Sequence, residues 1–217
     1  MTQEEIEKRD IEFFKAFAED GTLNRAAFNA EYEKKNKKVK PVYKCVFENI
    51  KAPTEEHKKI YDAFKQYTDK FPKVKTPNIL ITGGTGTGKT FAIDAIKKKL
   101  INRGFDVQYT TAFNMVKEFQ KYNNSFWRDS EQIDIFIECG LLIVDDLGTE
   151  STMGNMTNGH IYNIINERLV NGRPFIITTN LTPKEIEEKY DSRITSRILS
   201  KETTASFIMK GKDLRLS

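Results

Sequence analysis

An α/β domain built on a parallel sheet is what most of this sequence predicts, and three observations predict it. From residue 77 onward, short apolar runs alternate with stretches of helical period, as in strand–helix–strand units. The runs are continuously apolar rather than alternating, which marks strands covered on both faces. A glycine-rich turn, GGTGTGKT at 83–90, sits between the first run and the helix that follows it.

The strands are expected at 78–82 (NILIT), 106–110 (DVQYT), 141–145 (LLIVD), 174–179 (PFIITT) and 205–209 (ASFIM). Helices fall near 90–102, 112–121, 130–138, 156–170 and 183–199. The last has a clear start signal. Thr182, Pro183 and Glu185 occupy the N-cap, N1 and N3 positions, a capping box with proline where its missing N–H costs nothing. Ahead of the sheet, 54–70 reads as a helix capped by Thr54, with Ile60, Phe64 and Tyr67 on one side. Residues 2–33 also read as helical, carrying Ile6, Phe13, Phe14, Phe17, Leu23 and Phe28, with a break near Gly21. A basic, turn-like stretch through Pro41 follows as a linker. The chain therefore divides into a small helical N-terminal segment with its linker, 1–40, and a domain at 41–217.

Composition narrows the classes. A chain of 217 residues accommodates one well-buried α/β domain with a short appendage. Mean hydropathy is −0.56, and no run approaches the roughly 18 apolar residues that span a bilayer, so no membrane partner is expected. The N-terminus is acidic and polar where a secretory signal is basic and then apolar. Cys45 and Cys139 form no CxxC pair, so neither a zinc site nor a disulfide framework is expected, and the cytoplasm is the expected location. The net charge of +4 is compatible with nucleic acid without demanding it.

The chemistry lies at two motifs. Residues 83–90 match G-x-x-x-x-G-K-[ST]: Gly83, Gly84, Thr85, Gly86, Thr87 and Gly88 form a tight loop whose N–H groups face a polyphosphate. Lys89 adds a positive charge near the transferring phosphate, and Thr90 offers a hydroxyl to magnesium. In LLIVDD, 141–146, a buried strand delivers two carboxylates at its C-terminal edge, where ligands of parallel sheets bind. There Asp145 would hold magnesium, and Asp146 would orient or deprotonate the attacking water. The expected cofactors are ATP and magnesium. At the end of PFIITTN, Thr178, Thr179 or Asn180 can hold that water or sense the terminal phosphate; a plain polar strand end is the alternative.

With GGTGTGKT, LLIVDDLG, ITTN and SRITSRI in this order, residues 42–217 resemble the helicase loaders of the DnaC/DnaI type and the related IstB transposition ATPases. The resemblance implies an AAA+ P-loop ATPase core with a five-stranded parallel sheet in the order 5-1-4-3-2; against the broader AAA+ pattern, only a few residues follow the last strand, so no C-terminal helical lid is expected. It implies Asn180 as sensor 1, Arg197 as an arginine finger assisted by Arg193, and Arg215 as sensor 2. From the residues alone, both helical arginines also fit surface charges in i,i+4 contact. The implied partners are a hexameric replicative helicase, single-stranded DNA and further copies of the chain in an ATP-dependent assembly. An IstB-type helper and a nucleotide switch that does not hydrolyse stay open. In such proteins the region between the second and third strands faces DNA. Lys117, Lys121, Phe126, Trp127 and Arg128 would serve there, or Phe119, Phe126 and Trp127 pack in the core and the charges face solvent.

Overall fold

Five strands, β1 (Asn78–Thr82), β2 (Val107–Thr111), β3 (Leu141–Leu147), β4 (Phe175–Thr179) and β5 (Thr204–Ile208), pair in parallel in the order β2-β3-β4-β1-β5. This is the expected 5-1-4-3-2 order seen from the other edge. The computed structural model describes residues 47, 52–124, 131–150, 155–211 and 213–214. The expected N-terminal helix, the basic linker, Cys45, Phe126, Trp127, Arg128 and Arg215 lie outside them, as does the side chain of Lys121.

Seven helices cover the sheet among the described residues: α1 (Glu55–Lys70), α2 (Lys89–Asn102), α3 (Ala112–Asn124), α4 (Glu131–Glu138), α5 (Asn155–Val170), α6 (Pro183–Lys189) and α7 (Ser192–Ile198). Successive strand side chains point to opposite faces, so each continuous apolar run feeds two cores. Ile79, Ile81, Leu141, Ile143 and Ile176 pack under α1 and α2, against Phe64, Ile93, Ile96 and Leu100. Leu80, Leu142, Val144, Phe175 and Ile177 pack under α3 to α7, against Met115, Phe119, Ile164, Ile165 and Ile194. α1 begins at its expected cap, where the Thr54 hydroxyl accepts the His57 N–H at 3.2 Å. Complete burial of Phe64 contributes about 2 kcal/mol to holding α1 on the sheet.

The expected helix at 183–199 is two helices. The capping box starts α6 as anticipated, with Thr182 accepting from the Glu185 N–H at 3.3 Å and Glu185 from the Thr182 N–H at 2.7 Å. At Tyr190 the backbone becomes extended (φ −110°, ψ 156°), and the Asp191 carboxylate accepts the N–H groups of Arg193 and Ile194 to start α7. Tyr190 is buried, and its hydroxyl bonds to Glu150. A tertiary contact thus overrides the helical period.

Arg168 carries much of the second core. It is fully buried, and its guanidinium donates to the carbonyls of Phe136 (2.7 Å), Ile137 (3.0 Å), Cys139 (3.0 Å) and Pro174 (2.6 Å). A cation in this place meets carbonyls that α4 leaves without helical partners at its C-terminal end, where the helix dipole favours positive charge. Burial of the neighbouring Cys139 thiol pushes its pKa up to about 11. We expect Arg168→Met to keep the volume but strand these acceptors, at roughly 1–3 kcal/mol for each one left dry. A urea midpoint within error of wild type would show that α4 does not depend on this cap.

Candidate nucleotide-binding site

The phosphate loop is set by close approach. A Cβ on Gly83 would lie 2.2 Å from the Met209 carbonyl, so the loop rests directly on the chain leaving β5. Gly88 caps α2 in the left-handed region at φ 95°, which turns the loop into the helix. Further along, the Leu214 N–H donates to the Gly86 carbonyl at 3.0 Å, and the Asp213 carboxylate lies where a Cβ on Gly86 would point. From the other side, buried His57 of α1 places its Nε2 3.3 Å from the Thr87 carbonyl.

Lys89 is buried in the loop it serves. Its ammonium donates to the carbonyls of Gly83 and Gly84, each at 2.8 Å, and to Oδ1 of Asn180 at 2.6 Å. Of the three polar residues at the end of β4, Asn180 alone reaches Lys89. Thr178 and Thr179 are buried: Thr178 donates to Asp145, and Thr179 donates to the Leu147 carbonyl at 2.5 Å.

The acid pair has two separate environments. Asp145 is buried and accepts hydroxyls from Thr90 (3.2 Å), Tyr109 (2.9 Å) and Thr178. Burial, and then the Asp145 charge and hydrogen bond, push the Tyr109 phenol far above its usual range, so it stays a donor. Asp146 sits at a β-bulge between Val144 and Leu147 with φ 56°, and its N–H donates to Thr178 at 3.0 Å. Bulges re-aim side chains beside active sites.

This donor set fits the expected ligands. Thr90 and Asp145 bring a hydroxyl and a carboxylate together, hard oxygen donors of the kind magnesium takes alongside phosphate oxygens. The loop supplies N–H groups, and Lys89 a positive charge, to a polyphosphate.

Other expected residues are not brought into this cluster. Arg197 bonds to α5: Nε and Nη2 donate to Oδ1 of Asn166 (3.1 and 2.8 Å), and Nη2 donates to the Tyr162 hydroxyl (3.1 Å). Nη1 donates to the Arg193 carbonyl at 2.9 Å. Arg193 and Arg197 both stack on the Tyr162 ring, 4.9 and 4.7 Å from its centre. Between the second and third strands, Lys117 is exposed, whereas Phe119 is buried and stacks on His160 at 4.3 Å. Phe119 is thus a core residue. The sequence reading missed His57, Tyr109, Asp213, Tyr162 and Asn166. A buried-strand position occupied by tyrosine was a usable signal for Tyr109; the others depend on contacts between distant segments.

Residues 28–216 match the family model described as IstB-like ATP binding protein. The replicative helicase loader DnaC of Buchnera aphidicola is 29% identical over 108 residues, 49% of this chain and 44% of that protein. An ATP-binding protein of insertion sequence IS5376 from Geobacillus stearothermophilus is 27% identical over 142 residues, 64% of this chain and 55% of that one. The matches thus span about half the length of these relatives. Among solved structures, a DnaC helicase loader superposes with TM-score 0.71 at 17% identity, covering 79% of this chain and 100% of the other. DnaA bound to AMPPCP and single-stranded DNA superposes with TM-score 0.65 at 21% identity, covering 76% and 50%. The fold is the AAA+ P-loop fold. Among the described residues no helix is long and apolar enough to cross a membrane.

Charged hydrogen bonds contribute roughly 1.5–3 kcal/mol each, so Lys89→Ala is expected to weaken ATP binding by about 10- to 150-fold. Asp145→Asn should retain the fold and lose the magnesium dependence of binding. Titration with a fluorescent ATP analogue, with and without magnesium, checks both; unchanged affinity in Lys89→Ala would remove the phosphate-loop assignment.

Proposed function

The chain belongs to the IstB-like ATP binding protein family, and on that premise we propose that it is an ATP-dependent loader that binds a hexameric replicative helicase and places it on single-stranded DNA. The observation that carries the ATP-dependent half is the 2.6 Å contact between the Lys89 ammonium and Asn180. It ties the phosphate loop to the end of β4, the strand beside β1, where Asn180 sits. The loader half is supported by the likeness to a replicative helicase loader.

In this reading residues 83–90 hold the phosphates of ATP, with Arg215 as a further phosphate contact. Thr90 and Asp145 hold magnesium, which when bound neutralises charge on the phosphate oxygens. Asp146 accepts a hydrogen bond from the attacking water and orients it, and Asn180 positions it from the adjacent strand. Arg197 serves the site of a neighbouring copy in an ATP-dependent assembly, since its own anchoring lies on α5. Residues 1–40 grip the helicase, Lys117 is one of the groups facing DNA, and the protein works in the cytoplasm. A second reading, a helper ATPase for transposition, is favoured by the insertion-sequence relative.

Affinity capture of the replicative helicase by the full chain, with and without ATP, separates the two. Capture that requires ATP and is lost on deleting residues 1–40, with ATP binding intact, is the expected result. Capture of a transposase instead would establish the second reading. For assembly, mixing Arg197→Ala with Lys89→Ala protein is expected to restore part of the ATPase activity, because some interfaces then pair an intact loop with an intact arginine. No recovery at any ratio in confirmed mixed assemblies would rule out action in trans.

A further inference from the structure

Asp146 has a positive φ (56°), alone among the described non-glycine residues. Aspartate enters that region more readily than most residues with a Cβ, and the hydrogen bonds around Asp146 hold it there. Part of the constraint is local: Thr178 accepts the Asp146 N–H, and the Asp146 carbonyl accepts the Thr149 N–H (3.1 Å) and hydroxyl (2.8 Å). Two residues beyond the turn's Gly148 lies Glu150, whose side chain is fully buried. Its Oε2 accepts the Gly148 N–H at 2.8 Å, closing the turn after Asp146, and its Oε1 accepts the Tyr190 hydroxyl. Lys189 completes the cluster, donating to the Gly148 carbonyl with its ammonium 3.8 Å from Glu150.

A carboxylate removed from water is costly unless its lone pairs are met. Here an N–H and a phenol meet them and a nearby ammonium balances the charge; the N–H closes the turn, and the phenol and ammonium tie it to the end of α6. Burial, and then the charge and hydrogen bond of Glu150, raise the Tyr190 phenol well above its usual range, so it remains a donor. Tyr190 closes α6 and directly precedes the Asp191 cap of α7, the helix that carries Arg197.

We propose that Glu150 is a positioning residue for ATP turnover: its buried carboxylate braces the 147–149 turn that sets Asp146 and fastens it to the joint between α6 and α7. The inference rests on the reading of Asp146 as the group that orients water. Glu150→Ala removes the brace. Glu150→Gln keeps part of it: the amide oxygen still accepts from Gly148 and the amide N–H still reaches the Tyr190 oxygen, but the charge opposite Lys189 is lost. Tyr190→Phe removes one bond.

The expected result in the full-length chain is a fall in turnover of about 10- to 100-fold for Glu150→Ala. Glu150→Gln and Tyr190→Phe should both fall between Glu150→Ala and wild type, and ATP affinity should be unchanged in all three. Wild-type turnover in Glu150→Ala overturns the proposal, as does ATP affinity that falls in step with turnover, or Glu150→Gln as impaired as Glu150→Ala. Should Glu150→Ala fail to fold, undiminished turnover in Tyr190→Phe overturns it. Asp146→Asn separates the two levels: if it hydrolyses ATP normally, the role of Asp146 itself is wrong. If it fails while Glu150→Ala succeeds, only the brace is wrong.

Discussion

A carboxylate buried at the carboxyl edge of a parallel sheet must find its partners among whatever the strand ends and the first helix present. Asp145 finds three hydroxyls, from α2, β2 and β4, and each fixes a different element. Thr90 sets the first turn of α2 relative to β3, and with it the phosphate loop. Tyr109 ties the edge strand β2 to the same oxygen. Thr178 works twice, donating to Asp145 and accepting the N–H of Asp146, so the bulge that turns Asp146 aside is pinned to the neighbouring strand. Both acids share one strand end, yet hydroxyls satisfy one while the other sits in a separately built turn.

The parts of this arrangement that were legible in sequence are those in which local chemistry and global fold agree. GGTGTGKT needs its glycines where the loop meets β5 and α2, and LLIVDD is a buried strand with acids at its open end. Thr54 and Thr182 cap helices with their own side chains. What was not legible depends on partners far away in the chain. Residues 183–199 carry a helical period throughout, and only the burial of Tyr190 against Glu150 explains why the helix stops and restarts. The signal present was Asp191 followed by serine, a cap-forming pair inside the pattern. Arg168 reads as one more charge on a helix until the carbonyls beneath it are known. Met209, Asp213 and Leu214 carry no local signal for the phosphate loop they lie against.

The α5–α7 face follows a different logic. Tyr162 offers its ring to two guanidinium groups and its hydroxyl to one of them, while Asn166 accepts twice from Arg197. Arginine fits this role because its planar fork can stack and donate at once, which a lysine cannot. Two cations a helical turn apart are thereby held on one aromatic face, with the Asp191 carboxylate 3.0 Å from Arg193 balancing part of their charge.

The setting of Lys89 makes nucleotide binding an exchange rather than an addition. An ammonium has three protons to give, and here they go to the carbonyls of Gly83 and Gly84 and to the amide of Asn180. A phosphate oxygen that takes one of them must displace a protein oxygen, and the net gain is the difference between the two bonds. If the displaced oxygen is that of Asn180, the amide at the end of β4 is released in the same step, and the arrival of phosphate becomes a change of partner on the next strand. The apparent affinity for the nucleotide is then set partly by how well the protein satisfies its own lysine beforehand.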